Sequence, residues 1–278
     1  MPNLKLRRKS DLSPFRKIAL GTWQTAYDPS VYGSVSLRME AAERYLERFR
    51  RSTGKRLTMS HMMAKASGAA LEAMPDANAI LRLGRIYLRE RIGVFFQVAM
   101  EDPLTGEIDL SGATIYDPEK KTLLDICEEL EHKARGVRGG QDKKERARSI
   151  FRRAPEFAVG PLLETIGFFN YTLNLDLEKM GVPNDPFGSI MITNIGSLGL
   201  EEAYAPLVPY SRVPIVLAMG AVLDAPVVED GRVVPGRVMK VCATFDHRIL
   251  DGAHAAIMVR TLREWMEDPF AHFDPLPD

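Results

Sequence analysis

Along the chain the spacing of apolar residues changes period several times, and each change predicts an element. Residues 11–26 place Phe15, Ile18, Ala19 and Trp23 on one helical face behind a Ser13-Pro14 start signal, so an opening helix is expected. Residues 32–39 alternate apolar and polar, the pattern of a half-buried strand. Residues 41–52 form a charged amphipathic helix whose apolar side is Tyr45, Leu46 and Phe49. Residues 58–74 are more uniformly apolar and predict a helix buried on more than one face. Residues 80–88 and 92–100 read as paired strands, 108–116 as a further strand, and 122–133 as a helix with Leu123, Leu124, Ile126, Cys127 and Leu130 inward.

The pattern then shifts. Residues 133–153 hold nine Lys or Arg against two acids, which reads as a solvated helix or loop. Residues 157–175 are strongly apolar, broken by Glu164, Asn170 and Asn174. Their apolar residues surround a helix and include no basic residue, which favours core or an oligomer contact over a membrane-surface helix. Residues 238–245 have strand composition and 253–262 helix composition. No repeat and no Gly/Ser or Pro/Ala linker is present, so one domain, 1–278, is expected.

Composition narrows the class. The 278 residues are 45% hydrophobic and 27% charged, with 37 Lys plus Arg balancing 37 Asp plus Glu. No global field recruits nucleic acid. The cysteines, Cys127 and Cys242, give no sign of a disulfide framework, and a reducing cytoplasm is the simpler expectation. No signal peptide and no membrane span is expected. The dispersed histidines show no metal-ligand spacing.

The candidate chemistry gathers at Asp246-His247-Arg248-Ile249-Leu250-Asp251-Gly252, between the strand and the helix of the C-terminal part. Asp251 stands where a helix N-cap belongs, and Gly252 permits the sharp turn. His247 would emerge at a strand end, where an imidazole can be held in one rotamer as a general base. The bland alternative is a satisfied histidine at a strand end. His254 reads as a helix-surface or interface residue and Cys242 as core.

This stretch resembles the DHRxxDG signature of the dihydrolipoyl acyltransferase component of 2-oxoacid dehydrogenase complexes. It contains the HxxxDG core of the wider chloramphenicol acetyltransferase-like superfamily. Residues 187–199, Phe-Gly-Ser-Ile-Met-Ile-Thr-Asn-Ile-Gly-Ser-Leu-Gly, are similar to the family's FTISNLG strand, and 205–209 and 214–220 to the segments that follow it. Residues 13–19 are similar to its opening RKxIA helix.

The resemblance implies an α/β fold, a two-layer sandwich with a mixed central sheet and helices on one side. It implies coenzyme A-dependent acyl transfer to a dihydrolipoyl-type thiol, with His247 as base and Thr193 in the place of the serine credited with stabilising the oxyanion; Ser197 is the fallback donor. Asp251 would pair with an arginine, Arg16 or Arg248, to hold the histidine loop. No metal is required. The active site is expected between subunits of a trimer, in some relatives built into a cage. No lipoyl or subunit-binding domain is expected, and the chain departs from the family in residues 102–108 and in an expected enlarged helical insertion around 141–186. The lipoyl group is therefore expected in trans on another protein, alongside 2-oxoacid dehydrogenase subunits. A small-molecule O- or N-acyltransferase and a non-catalytic scaffold of the same fold are the alternatives.

Overall fold

The computed structural model describes residues 3–8, 29–101, 108–138 and 156–276. The helix expected over 11–26, with Arg16, lies outside them, as does most of the basic stretch. The strands are β1 (Leu6–Arg8), β2 (Ser30–Arg38), β3 (Ala79–Arg82), β4 (Arg85–Arg89), β5 (Gly93–Glu101), β6 (Ile108–Tyr116), β7 (Ile190–Asn194), β8 (Ile215–Glu229) and β9 (Arg232–Asp246). The helices are α1 (Glu40–Thr53), α2 (Met59–Ala73), α3 (Leu123–Arg138), α4 (Glu156–Gly167), α5 (Gly252–Glu267) and α6 (Pro269–His272).

Six strands form the main sheet in the order β2-β9-β8-β7-β5-β6. It is mixed: β7 runs parallel to both β5 and β8, and the other pairs are antiparallel. Alternation along these strands turns one face inward, so Leu37, Phe96, Ile192, Leu217 and Val241 join a single core cluster with residues of α1, α2, α3 and α5. Burying each large aliphatic side chain there contributes about 1.5–3 kcal/mol before the entropy of ordering is counted. Helix α2 lies innermost: it is buried continuously from His61 to Leu71, packs on α5 and crosses β5 and β7. Helices α1, α2, α3 and α5 thus cover one face of the sheet, the layered arrangement that the resemblance implies. No helix among the described residues is long and apolar enough to cross a membrane.

Two expectations are corrected. Residues 80–88 do not pair with 92–100; they fold back on themselves as the β3–β4 hairpin, in a separate sheet ordered β1-β4-β3. Leu83 and Gly84 both have positive φ, 48° and 69°, the backbone of a two-residue hairpin turn. Residues 157–175 are not one continuous helix: α4 passes into a π-helical turn, Phe168–Thr172, that buries Asn170 and Tyr171 and exposes Phe168 and Phe169. Nearby, Arg89 and Asp185 form a buried ion pair at 3.3 Å. Burial pushes the Asp185 carboxyl up, against the lowering pull of Arg89.

The other face of the sheet carries segment 200–213. Gly220 lets it lie close, because a Cβ there would collide with the Glu201 carbonyl. Ala221 N–H donates to the Leu200 carbonyl at 2.9 Å, and Lys240 pairs with Glu202 at 2.7 Å, tying the segment to β8 and β9.

Candidate active site

His247 stands at the end of β9, where the chain leaves the sheet. Its backbone N–H donates to the Pro29 carbonyl at 3.0 Å, and Asp246 N–H donates to the Pro214 carbonyl at 2.9 Å, so the loop is anchored to β2 and β8. The ring's Nδ1 lies 2.6 Å from the Leu250 carbonyl oxygen. A carbonyl only accepts, so Nδ1 carries the proton and Nε2 is the basic nitrogen. Phe245 meets the imidazole edge to face, with centroids 6.4 Å apart, and limits its rotation. These contacts hold the imidazole in one orientation and one tautomer, as a general base requires.

Asp251 caps α5. Its Oδ1 accepts from Ala253 N–H at 3.0 Å and from His254 N–H at 3.2 Å, and His254 Nδ1 lies 2.8 Å from the same oxygen. His254 also faces back to Asp251 N–H at 3.3 Å, which completes a capping box. The sequence reading missed this role for His254; the signal was its third position after the cap. Of the two arginines expected as partners of Asp251, Arg16 lies outside the described residues and Arg248 is engaged elsewhere. Arg248 instead grips Asp246 through Nε and Nη2, at 2.9 and 2.6 Å, and its N–H donates to the same carboxylate. A residue two positions back at the strand end is within reach of that side chain, whereas the first-turn amides of α5 claim Asp251. Asp246, which motif reading left without a role, therefore braces the loop from one side and Asp251 from the other.

Thr193 lies near the end of β7 and lines a cavity of about 210 Å³ with Phe95, Gln97, Pro206 and Val208. Ser197 is committed elsewhere: its hydroxyl donates to the Asn194 carbonyl at 2.7 Å and its N–H to Asn194 Oδ1 at 3.1 Å, closing the turn after β7. Cys242 is buried in β9, and burial pushes its thiol up, so it is core and no nucleophile.

The chain does not bring Thr193 and His247 together. Thr193 is in register with Ala218, and Ala218 with Cys242. Asp246 is four strand residues beyond Cys242, about 13 Å along the sheet, and two strand spacings add about 10 Å across, some 16 Å in all. One reacting carbon cannot lie within contact of both side chains of a single chain.

Comparison with known proteins bears on the fold and on the C-terminal part of the sequence. Residues 185–273 match the model of the 2-oxoacid dehydrogenases acyltransferase catalytic domain. The dihydrolipoyllysine-residue acetyltransferase component of the acetoin cleaving system of Bacillus subtilis is 25% identical over 78% of this chain and 43% of its own length, so the chain spans less than half of that relative. A probable dihydrolipoamide acetyltransferase from Listeria monocytogenes superposes with a TM-score of 0.66 at 17% identity, over 98% of this chain and 99% of that one. The cubic core of a pyruvate dehydrogenase multienzyme complex gives 0.63 at 19%, over 95% and 93%. Chloramphenicol acetyltransferase gives 0.51 at 14%, over 94% and 100%. Residues 185–273 are thus similar to the 2-oxoacid dehydrogenases acyltransferase catalytic domain, and the chain shares the fold of these acyltransferase cores and of chloramphenicol acetyltransferase.

Proposed function

We propose that the protein is an acyltransferase that moves an acyl group between coenzyme A and a dihydrolipoyl-type thiol, with His247 as general base. The observation that carries this reading is the Leu250 carbonyl holding the proton on Nδ1, which makes Nε2 the basic atom. Nε2 takes the proton of the incoming thiol. The thiolate attacks the thioester carbonyl, and a new C–S bond forms as the carbonyl electron pair moves to oxygen. The tetrahedral oxyanion collapses, the old C–S bond breaks, and the leaving thiolate recovers the proton from the imidazolium. Nothing is oxidised or reduced.

An oxyanion donor is needed, and Thr193 is the proposed one. Its distance from His247 within one chain means that a second copy supplies it. Val208, exposed on the wall of the Thr193 cavity, and the exposed Leu198, Leu200 and Tyr204 of the same connection between β7 and β8 suit such a contact. The cubic core with which the chain superposes supports a homotrimer that assembles further. The lipoyl group is proposed to arrive on another protein of the same complex, and the two buried free cysteines suit a reducing cytoplasm.

The test is thiol release from a panel of acyl-CoA donors with and without dihydrolipoamide. Turnover that depends on dihydrolipoamide is expected. Turnover only with a hydroxyl or amine acceptor contradicts the lipoyl assignment, and no turnover with any acceptor contradicts the acyltransferase reading.

A further inference from the structure

On the side of the histidine loop away from the helices, a cavity of about 360 Å³ opens between residues 206–214 and the start of β2. Pro206 and Val208 line both this cavity and the one at Thr193, so the two share a wall. Asp246, Arg248 and Arg212 supply its charge. Asp246 neutralises Arg248 through the two-point pair at the end of β9. Arg212 has no carboxylate partner among the described residues. Among the described residues the cavity therefore carries one uncompensated positive charge. Desolvation and the neighbouring Arg248 charge both hold the Arg212 pKa below the usual guanidinium value, as expected for a cation beside a second cation with no carboxylate of its own.

The backbone commits Arg212 to this position. Its φ is 56°, a left-handed conformation uncommon for any residue but glycine, and such strain gathers where a site demands it. Ser211 holds it there: its hydroxyl donates to the Val208 carbonyl at 2.7 Å and accepts from Val213 N–H at 3.2 Å. Pro209 and Pro214 stiffen the segment at either side of this staple. A guanidinium presented by a rigid loop, beside a second guanidinium, in a cavity lined by the residues on either side of His247, is built to take a bidentate oxyanion.

We propose that Arg212, with Arg248 behind it, forms a subsite for an anionic oxygen group of the acyl donor, either a phosphate of the coenzyme or a carboxylate on the acyl chain. This deepens the acyltransferase reading and rests on it for the identity of the donor, though not for the binding of the anion.

The test uses the full-length protein and two variants. Arg212→Asn removes the charge but tolerates positive φ, and Arg212→Lys keeps the charge. Binding of inorganic pyrophosphate and of succinate is measured by calorimetry. Arg212→Asn should weaken one of these probes at least about tenfold, and Arg212→Lys should recover part of the loss. In turnover, Arg212→Asn should raise KM with kcat nearly unchanged. A rise for acetyl-CoA but not for acetyl-pantetheine assigns the coenzyme phosphates; a rise confined to a dicarboxylic acyl-CoA assigns the acyl carboxylate. Equal binding of both probes by wild type and Arg212→Asn overturns the subsite. Arg212-dependent anion binding without any acyl transfer by the wild type leaves the subsite standing and removes the acyltransferase reading.

Discussion

Replacing His247 by glutamine separates the proton-transfer role from the structural one. A glutamine amide can still donate to the Leu250 carbonyl that now accepts from Nδ1 at 2.6 Å, so the loop keeps a tie. If that hydrogen bond is not remade, its loss costs about 1 kcal/mol, small beside the burial that holds β9 and α5 together. The basic nitrogen, by contrast, has no substitute. Removal of a general base lowers turnover by about 10²–10⁴-fold, which is roughly 2.7–5.4 kcal/mol of barrier at about 1.36 kcal/mol per tenfold. The loss should fall on kcat, because the imidazole acts in the transition state more than in substrate binding. The assay is steady-state acyl transfer from acyl-CoA to dihydrolipoamide, with melting temperature and assembly mass measured on the same preparation. An assembled His247→Gln variant that retains turnover within about threefold of wild type refutes general-base catalysis by His247.

Three further outcomes are expected. Thr193→Ser should keep activity, whereas Thr193→Val should lower kcat by about 10²–10³-fold as a lost oxyanion donor does; equal turnover by the valine variant would place the donor elsewhere. His61 should make stability pH-dependent: burial lowers its pKa from 6.5 to about 4, so the unfolded chain binds the proton first as pH falls. On the order of 3 kcal/mol should then be lost progressively between about pH 6.5 and pH 4, and urea unfolding of His61→Gln should show a flatter profile over that window; identical profiles would refute it. Replacing Leu163 and Phe168 by lysine should lower the assembly mass in light scattering while the fold survives, if the apolar surface of residues 157–175 meets another copy; unchanged mass would rule that contact out.

The main layers were legible because their elements are long and half-buried. The alternation of residues 32–39 became β2 and the all-round apolar run of 58–74 became α2, since burial there follows spacing alone. The β3–β4 hairpin was hidden because its turn is only Leu83-Gly84, and Leu83 lacks the residue type that announces a left-handed conformation. The Phe168–Thr172 turn was hidden by its composition, which buries Asn170 while leaving phenylalanines outside. At the site, spacing gave the Asp251 cap, but not which carboxylate Arg248 would reach, because side-chain direction at a strand end depends on how the loop is tied down. Arg212 left no motif, since its place depends on the left-handed backbone and on the Ser211 staple.

The central claim is that each active site joins His247 of one copy to Thr193 of another. Co-expression of His247→Ala with Thr193→Val tests it directly, because each variant alone lacks one half of every site. In randomly mixed trimers about a quarter of the interfaces pair an intact His247 with an intact Thr193. The mixed assembly should recover about a quarter of wild-type turnover while each parent stays near background. Parents that are inactive alone, and a verified mixed assembly that remains equally inactive, would contradict a site shared between copies.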